Sequence, residues 1–238
     1  MDTNDKSNEA LEPETRKLVS RRDFLKIGCL GSAAVGLGVC AASSFASSPP
    51  EVDLQTFRFG EDNMKERILI AYASATGSTV EVAAAIGETL AGHEVSVGVR
   101  PIREISGLED DYAAVVVGSA VQYGDWLPEA IDFVKANQHA LKAIPVALFC
   151  VHIRNLGDDP TSQNNRLAYL DSVRSLLEPA AEGFFAGRFN RQGAALLMPS
   201  LVARFLPTLD FRNWEKIRTW AESIYPQLVG SGMQWTIE

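Results

Sequence analysis

From Glu66 onward, short apolar runs alternate with longer stretches in which the apolar residues recur at helical spacing. Most of the apolar runs have the length and residue types expected of strands that are buried on both faces of a sheet, whereas Glu94–Val99 alternates and predicts a more exposed strand. The helical stretches end at residues such as Gly92, which favour helix termination. The predicted strands are Arg67–Ala73, Glu94–Val99, Tyr112–Gly118, Ile144–Ile153 and Gly183–Phe189, and the predicted helices are Ser78–Ala91, Leu127–His139, Asn164–Leu177 and Trp214–Leu228.

This order of elements predicts one α/β domain over residues 66–230, preceded by a polar linker at 47–65. Strands separated by helices imply right-handed crossovers, and therefore a parallel sheet with helices on both faces. Five strands suit a doubly wound sheet in the order 2-1-3-4-5, in which ligands bind beyond the carboxyl ends of the strands. The segment 190–212 interrupts the alternation and is interpreted as an insert.

A hydroxyl-rich loop joins the first predicted strand to the first predicted helix. It reads Ser74-Ala75-Thr76-Gly77-Ser78-Thr79. Free backbone N–H groups and the positive end of the helix dipole favour an anion at such a position, and a glycine there permits close approach of the backbone. The loop has no lysine, which distinguishes it from a Walker-type nucleotide loop. An ordinary capped helix start is the alternative, since Ser and Thr are favoured caps, but the density of hydroxyls favours phosphate binding.

The same six residues resemble the T/S-x-T-G-x-T loop with which flavodoxins hold the phosphate of FMN. The resemblance implies a flavodoxin-like fold and FMN as the cofactor. By that resemblance, Ser74, Thr76, Gly77 and Thr79 are phosphate ligands, while Ala75 and Ser78 occupy the variable positions of the loop.

Two further loops follow predicted strands at the same edge of the sheet. The first, Gly118–Trp126, places Tyr123 and Trp126 around Gly124, and flat aromatic faces suit the flavin ring. The alternative is that both aromatics only cap the following helix. The second loop, His152–Asp158, is expected to border the other side of the ring, with His152 as a polar neighbour of the flavin.

The first of these loops also resembles the bacterial protoporphyrinogen dehydrogenases that use menaquinone. Their G-[AS]-x-[IV]-x-Y-G pattern is met here by Gly118, Ser119, Val121, Tyr123 and Gly124, and the likeness extends over residues 66–228. The resemblance implies an FMN-dependent oxidoreductase that passes electrons to a quinone or a redox protein. A non-enzymatic electron carrier and a binding module with an empty cofactor site are the alternatives. The sequence indicates no catalytic side chain and no metal-binding cluster.

Within the insert, residues 194–206 are apolar apart from Arg204. This stretch either packs on the domain as an extra helix or forms an apolar lip for a quinone or a membrane surface. Arg188, Arg191 and Arg204 are candidates to pair with carboxylates of a substrate, although Arg191 and Arg204 could equally be solvated.

Residues 1–46 have the plan of a secretory signal, in which basic residues precede an uncharged apolar run that ends in small residues. Ser20-Arg21-Arg22-Asp23-Phe24-Leu25-Lys26 resembles the motif of the twin-arginine translocation (Tat) signal. We therefore expect export by the Tat translocon to an extracytoplasmic or periplasmic location, with a mature start near Ser47. An uncleaved membrane anchor and lipidation at Cys40 are the alternatives.

The charge of the domain and its cysteine content exclude some binding partners and cross-links. Residues 1–46 carry six acidic and six basic side chains, so the formal charge of −8 belongs to the rest of the chain. An acidic domain without a basic block argues against nucleic acid as a partner. Cys150 is the one cysteine outside the leader, which excludes a disulfide within the domain, and it is interpreted as a buried strand thiol.

Overall fold

A computed structural model describes residues 54–61, 64, 66–108, 111–189 and 207–230. The strands are β1 (Phe57–Phe59), β2 (Arg67–Ala73), β3 (Ser96–Pro101), β4 (Ala114–Gln122), β5 (Asp125–Trp126), β6 (Val146–His152), β7 (Ala181–Ala186), β8 (Arg188–Phe189) and β9 (Leu209–Asp210). The helices are α1 (Ser78–Ala91), α2 (Pro128–Ala136), α3 (Gln138–Lys142), α4 (Pro160–Leu167), α5 (Asp171–Arg174) and α6 (Trp214–Val229). Short 3-10 turns lie at Ile102–Glu104 and Ala168–Leu170.

The central sheet has the order β1-β3-β2-β4-β6-β7. The five strands from β3 to β7 along this order are parallel, which confirms the predicted doubly wound order 2-1-3-4-5. Their carboxyl ends therefore meet at one edge of the sheet, and the loop that begins at Ser74 leaves β2 at that edge.

Alternate residues of the buried strands face two separate apolar cores, one on each side of the sheet. In β2, for example, Ile68 and Ile70 join one core whereas Leu69 and Ala71 join the other. Helices α1 and α6 cover the first core, and α2, α3 and the segment 168–177 cover the second. This two-sided burial is the reason that the central strands read as continuous apolar runs.

The structure adds a strand to the predicted sheet. Strand β1 pairs antiparallel with β3, and it lies within the range 47–65 that the sequence suggested as a linker. Phe57 and Phe59 pack against the core on the α1 side, while Arg58 between them is exposed. The linker boundary is therefore wrong over these residues, because an alternating triplet covers the open edge of β3.

Several other boundaries differ from the predictions. The predicted helix 164–177 is divided into α4, a 3-10 turn and α5, and the predicted fifth strand is divided into β7 and β8. The described part of the insert, residues 207–212, contains β9, which pairs antiparallel with β8. The leader at 1–46 and the apolar stretch 194–206 lie outside the described residues. In the part of the chain that the structure describes, no helix is both long and apolar enough to cross a membrane.

Candidate functional site

The hydroxyl-rich loop forms the turn between β2 and α1 at the carboxyl edge of the sheet. Gly77 precedes the helix with a φ of 89° and a ψ of −19°, a left-handed conformation that glycine adopts without steric penalty. Its N–H donates to the hydroxyl of Ser74 at 3.0 Å, which ties the loop back on itself. Within the described residues no side chain caps α1, so the amides of its first turn are available to an anion.

Thr79 lies in the first turn of α1 and is completely buried. Its hydroxyl Oγ1 has no hydrogen-bond partner among the described residues. A buried hydroxyl without a partner is unfavourable by about 1–3 kcal/mol, and native proteins seldom leave one. This atom therefore indicates a polar ligand that approaches the loop.

A cavity of about 520 Å³ opens beside the loop, a volume typical of sites that take a small molecule or cofactor. Three segments at the carboxyl ends of β2, β4 and β6 frame it, and Tyr169 and the start of β8 complete the wall. The lining residues are Ala75, Thr76, Ser78, Ala120, Val121, Gln122, Tyr123, Gly124, Val151, His152, Ile153, Arg154, Asn155, Tyr169, Arg188 and Phe189.

Strands β4 and β5 form a hairpin whose two-residue loop is Tyr123-Gly124. Both loop residues have positive φ, 56° for Tyr123 and 87° for Gly124, as a type I′ turn requires. A bulky residue rarely adopts this conformation. Tyr123 nevertheless occupies it with 87% of its surface exposed, so its ring stands at the mouth of the cavity without packing that would explain it.

The structure separates the two aromatics that the sequence grouped together. Trp126 is buried in the core under α2, donates its indole N–H to the sulfur of Cys150 at 3.0 Å, and does not line the cavity. The expectation of a flavin contact at Trp126 is therefore wrong, because the strand pairing of β5 turns this side chain inward. For Trp126, the alternative of a packing role at the start of the next helix describes its position.

Ser119 is likewise placed away from the cavity. It is completely buried in β4, where its hydroxyl donates to the carbonyl oxygen of Ala120 and accepts from the N–H of Leu127 at 3.0 Å. With both functions of the hydroxyl satisfied, Ser119 fixes the start of α2. We therefore correct its expected cofactor contact to a structural role.

His152 ends β6 and is 4% exposed. Its Nδ1 lies 2.7 Å from the carbonyl oxygen of Arg154, which only accepts, so Nδ1 carries the proton. Burial lowers the pKa of the imidazole to about 4, against the opposing effect of this hydrogen bond. The ring is thus neutral at pH 7, and its buried Nε2 is a hydrogen-bond acceptor without a partner among the described residues.

Behind His152, Tyr169 and Asn155 complete the wall of the cavity. The Tyr169 ring is tilted against His152 at a centroid distance of 5.5 Å, and the Asn155 amide donates to the Tyr169 hydroxyl. Asn155 has a φ of 56°, and Arg166 donates to its carbonyl oxygen at 2.6 Å. Sequence reasoning missed Tyr169, since it was interpreted as part of a regular helix.

At the end of the cavity beside the hydroxyl-rich loop, Arg188 forms part of the lining. Its Nη2 lies 2.7 Å from Oε1 of Glu81, while its Nε is buried and has no partner among the described residues. Arg212 binds the other oxygen of Glu81 and also Asp210. The sequence suggested Arg188 as a partner for carboxylates of a substrate, but nothing in it linked Glu81 to Arg212.

The sequence matches a known protein family. The family model for the flavodoxin domain matches residues 69–202, which is more than half of the chain and includes both the loop and the cavity walls. This chain belongs to the flavodoxin domain family. Membership of the flavodoxin domain family agrees with FMN as the cofactor expected from the loop. No curated protein matches the sequence.

Solved structures that are similar to this chain include an archaeal flavodoxin at 16% identity, with a TM-score of 0.42 and coverage of 68% of this chain and 98% of that one. Oxidised flavodoxin 1 from Bacillus cereus is 14% identical, with a TM-score of 0.45 and coverage of 68% and 98%. An FMN-dependent NADH-azoreductase from Bacillus anthracis, solved with FMN, is 10% identical, with a TM-score of 0.43 and coverage of 69% and 99%. The assignment of this flavodoxin domain to its family depends on the family model, not on these likenesses.

The predicted site residues of this flavodoxin domain fall into three groups. Ala75, Thr76, Ser78, Val121, Tyr123, Gly124 and His152 line the cavity. Ser74, Gly77 and Thr79 shape the loop beside it. Ser119 and Trp126 belong to the core. Among the described residues, no group of three or more His, Cys, Asp or Glu side chains is placed to hold a metal ion.

Proposed function

We propose that this chain is an exported FMN-binding oxidoreductase that passes electrons to a quinone or a redox protein and is related to the menaquinone-dependent protoporphyrinogen dehydrogenases. One observation carries the FMN part of the proposal. Within the described residues, the buried side-chain atoms without a partner are Thr79 Oγ1, His152 Nε2 and Arg188 Nε, and all three belong to this cavity or to the loop beside it. A ligand with a phosphate and several polar groups would supply their partners.

FMN fits this donor set in its chemistry. The phosphate monoester suits the loop hydroxyls and the amides of the first turn of α1. The neutral His152 offers an acceptor to an O–H or N–H group of the cofactor, and the exposed ring of Tyr123 offers a flat apolar face. When bound, the flavin supplies the electron transfer, while the protein binds, orients and partly shields it.

The substrate and acceptor are inferred from the Tyr123-Gly124 loop pattern and from the insert that follows β8. Both support the likeness to the protoporphyrinogen dehydrogenases, and the apolar stretch 194–206 suits a quinone or a membrane surface. The Tat-like leader supports export, because that route carries proteins that have already folded around a cofactor. The proposed location is therefore the extracytoplasmic face of the membrane.

The FMN proposal is tested on apo protein titrated with FMN and followed by quenching of flavin fluorescence. We expect Thr79→Val to weaken FMN binding by about tenfold or more, since a charge-assisted hydrogen bond is lost. Thr89→Val is the matched control, because Thr89 lies in the same helix and donates to the carbonyl oxygen of Ala85 instead. A wild-type protein that takes up no FMN would reject the proposal.

The redox role is tested with the flavin-loaded protein and a soluble quinone. An oxidoreductase oxidises a small donor over many turnovers in the presence of the quinone. An electron carrier exchanges electrons with a partner protein but shows no such turnover, and that result would replace the enzyme by a flavodoxin-type carrier. Fractionation of cells that produce the full chain, with Arg21 and Arg22 both changed to lysine as the control, tests export.

A further inference from the structure

Arg188 is the first residue of β8, and the backbone just before it lies next to the hydroxyl-rich loop. The N–H of Gly187 donates to the carbonyl oxygen of His152 at 2.7 Å, which fixes the chain at this point. A Cβ on Gly187 would lie only 3.2 Å from the hydroxyl of Ser78, so this backbone packs directly on the first turn of α1. The next residue therefore begins beside the atoms that would hold a phosphate.

The guanidinium of Arg188 has one ion-pair partner, but not all of its N–H groups have an acceptor among the described residues. Glu81 contacts its Nη2, and its Nε is buried without a partner in the part of the chain that the structure describes. The side chain lines the cavity together with Thr76 and Ser78 and remains 29% exposed. A guanidinium has five N–H donors, and a buried Nε–H without an acceptor indicates that an oxygen atom is missing beside it.

The charges around the loop support an anion at this point. Glu81 alone, in the first turn of α1, would repel a phosphate, but each of its oxygens is bound by an arginine, Arg188 or Arg212. The described lining of the cavity contains Arg154 and Arg188 and no acidic residue, although the chain carries a formal charge of −8. The described lining of the cavity is therefore basic, although the domain as a whole is acidic.

We infer that Arg188 is a direct ligand of the phosphate monoester of the cofactor and selects FMN over flavins without a phosphate. This inference rests on the proposed FMN site. Of the two arginines in the lining, Arg188 is the one that directly follows Gly187, which packs against Ser78, and its planar fork of donors matches the oxygens of a phosphate. Glu81 holds the guanidinium at Nη2, and Arg212 binds the other oxygen of Glu81.

The test compares two flavins that differ only in the phosphate. Apo full-length protein is titrated with FMN and with riboflavin, as wild type and as Arg188→Gln. Lys142→Gln is the matched control, because Lys142 is exposed at the end of α3, before β6 begins and therefore at the opposite edge of the sheet. Loss of one charged hydrogen bond predicts that Arg188→Gln weakens FMN binding by roughly 10- to 100-fold. Riboflavin binding should change by less than about twofold, since the lost interaction is with the phosphate.

The outcomes separate the inference from the proposed function. An equal loss for both flavins, or no loss for FMN, would overturn the role of Arg188 while leaving the FMN site intact. Wild-type protein that binds neither flavin would overturn the proposed function itself. If Arg188→Gln does not fold, a crystal structure of the wild-type FMN complex decides. A guanidinium nitrogen within about 3.2 Å of a phosphate oxygen supports the inference, and a guanidinium turned away from the phosphate rejects it.

Discussion

The indole N–H of Trp126 donates to the sulfur of Cys150 across the core between β5 and β6, at 3.0 Å. Both side chains are almost completely buried, and burial raises the pKa of the Cys150 thiol to about 12. The contact fixes the hairpin that carries Tyr123 to the neighbouring parallel strand. It thereby supports the wall of the site from behind.

The first prediction concerns the reactivity of this thiol. Because the thiolate is the reactive species, Cys150 should resist alkylation by iodoacetamide in the folded protein, even at pH 9. Peptide mapping by mass spectrometry follows Cys150 separately from Cys29 and Cys40. Urea should make Cys150 react in step with global unfolding, and rapid labelling of the native protein would contradict the described burial.

Thr79 is predicted to affect the apo and FMN-bound proteins in opposite directions. Thr79→Val removes a buried hydroxyl that has no partner, so the apo protein should gain up to about 1–3 kcal/mol in free energy of unfolding. The same change weakens FMN binding. Chemical denaturation with and without FMN measures both effects, with Thr89→Val as the control in the same helix. Destabilisation of the apo protein would show that Thr79 has a partner within the protein.

Substitution of Tyr123 is also predicted to stabilise the apo protein and to weaken FMN binding, but for a different reason. Its positive φ is unfavourable for a bulky residue, whereas asparagine is preferred in this position of a type I′ turn. Tyr123→Asn should therefore stabilise the apo protein by about 0.5–1 kcal/mol. Loss of the ring should weaken FMN binding several-fold, as expected for a contact of about 0.5–1.5 kcal/mol. Tyr123→Phe, which keeps the ring, should retain the FMN affinity.

His152 predicts a loss of stability of the apo protein in mild acid. Its pKa is about 4 in the folded state and 6.5 when unfolded, so between these values only the unfolded protein binds the proton. The free energy of unfolding should fall as the pH decreases from about 6.5 to 4, by about 3 kcal/mol at most. Urea denaturation at pH 7 and pH 5 measures the effect. His152→Gln should remove this part of the slope, and an unchanged slope would assign it to other groups.

Arg212 is predicted to matter for stability more than Arg188 does. Its side chain is 5% exposed, bridges Glu81 and Asp210, and lies over the Trp214 ring at 4.5 Å. Arg212→Gln should lower the free energy of unfolding by about 1–2 kcal/mol, because Asp210 loses its cation and Glu81 keeps only Arg188, while both carboxylates stay partly exposed to solvent. Thermal denaturation of the apo protein compares it with Arg188→Gln, for which we expect a smaller change. Equal effects would contradict the prediction that Arg212 contributes more to stability than Arg188.

The sequence was sufficient for the parallel core of the fold but not for its edges. Strands such as β2 and β6 are apolar throughout because both faces are covered, and that pattern is visible in the chain itself. Strand β1 has three residues, and its pairing depends on the open edge of β3, which no local pattern reveals. The position of β1 therefore depends on its pairing with β3, which the periodicity of the sequence does not show.

The same distinction applies to the site. The phosphate loop is contiguous, so the spacing of its hydroxyls shows its chemistry directly. Tyr123 and Trp126 are both aromatic residues close to Gly124, so the sequence does not distinguish them. The register of the hairpin exposes Tyr123 and buries Trp126. The ion pair between Glu81 and Arg212 joins residues 131 positions apart, a separation over which a single sequence carries no signal.

Strand β1 also bears on how much of the chain must be kept when the domain is produced. A protein that began at Glu66 would retain all five parallel strands, yet it would leave the backbone of β3 uncovered along a row of free N–H and C=O groups. An exposed edge strand of this kind can pair with the same strand of another molecule, which leads to aggregation and precipitation. A protein that starts at Ser47, the proposed cleavage point, keeps the covering segment, so its colloidal solubility should exceed that of a protein that starts at Glu66.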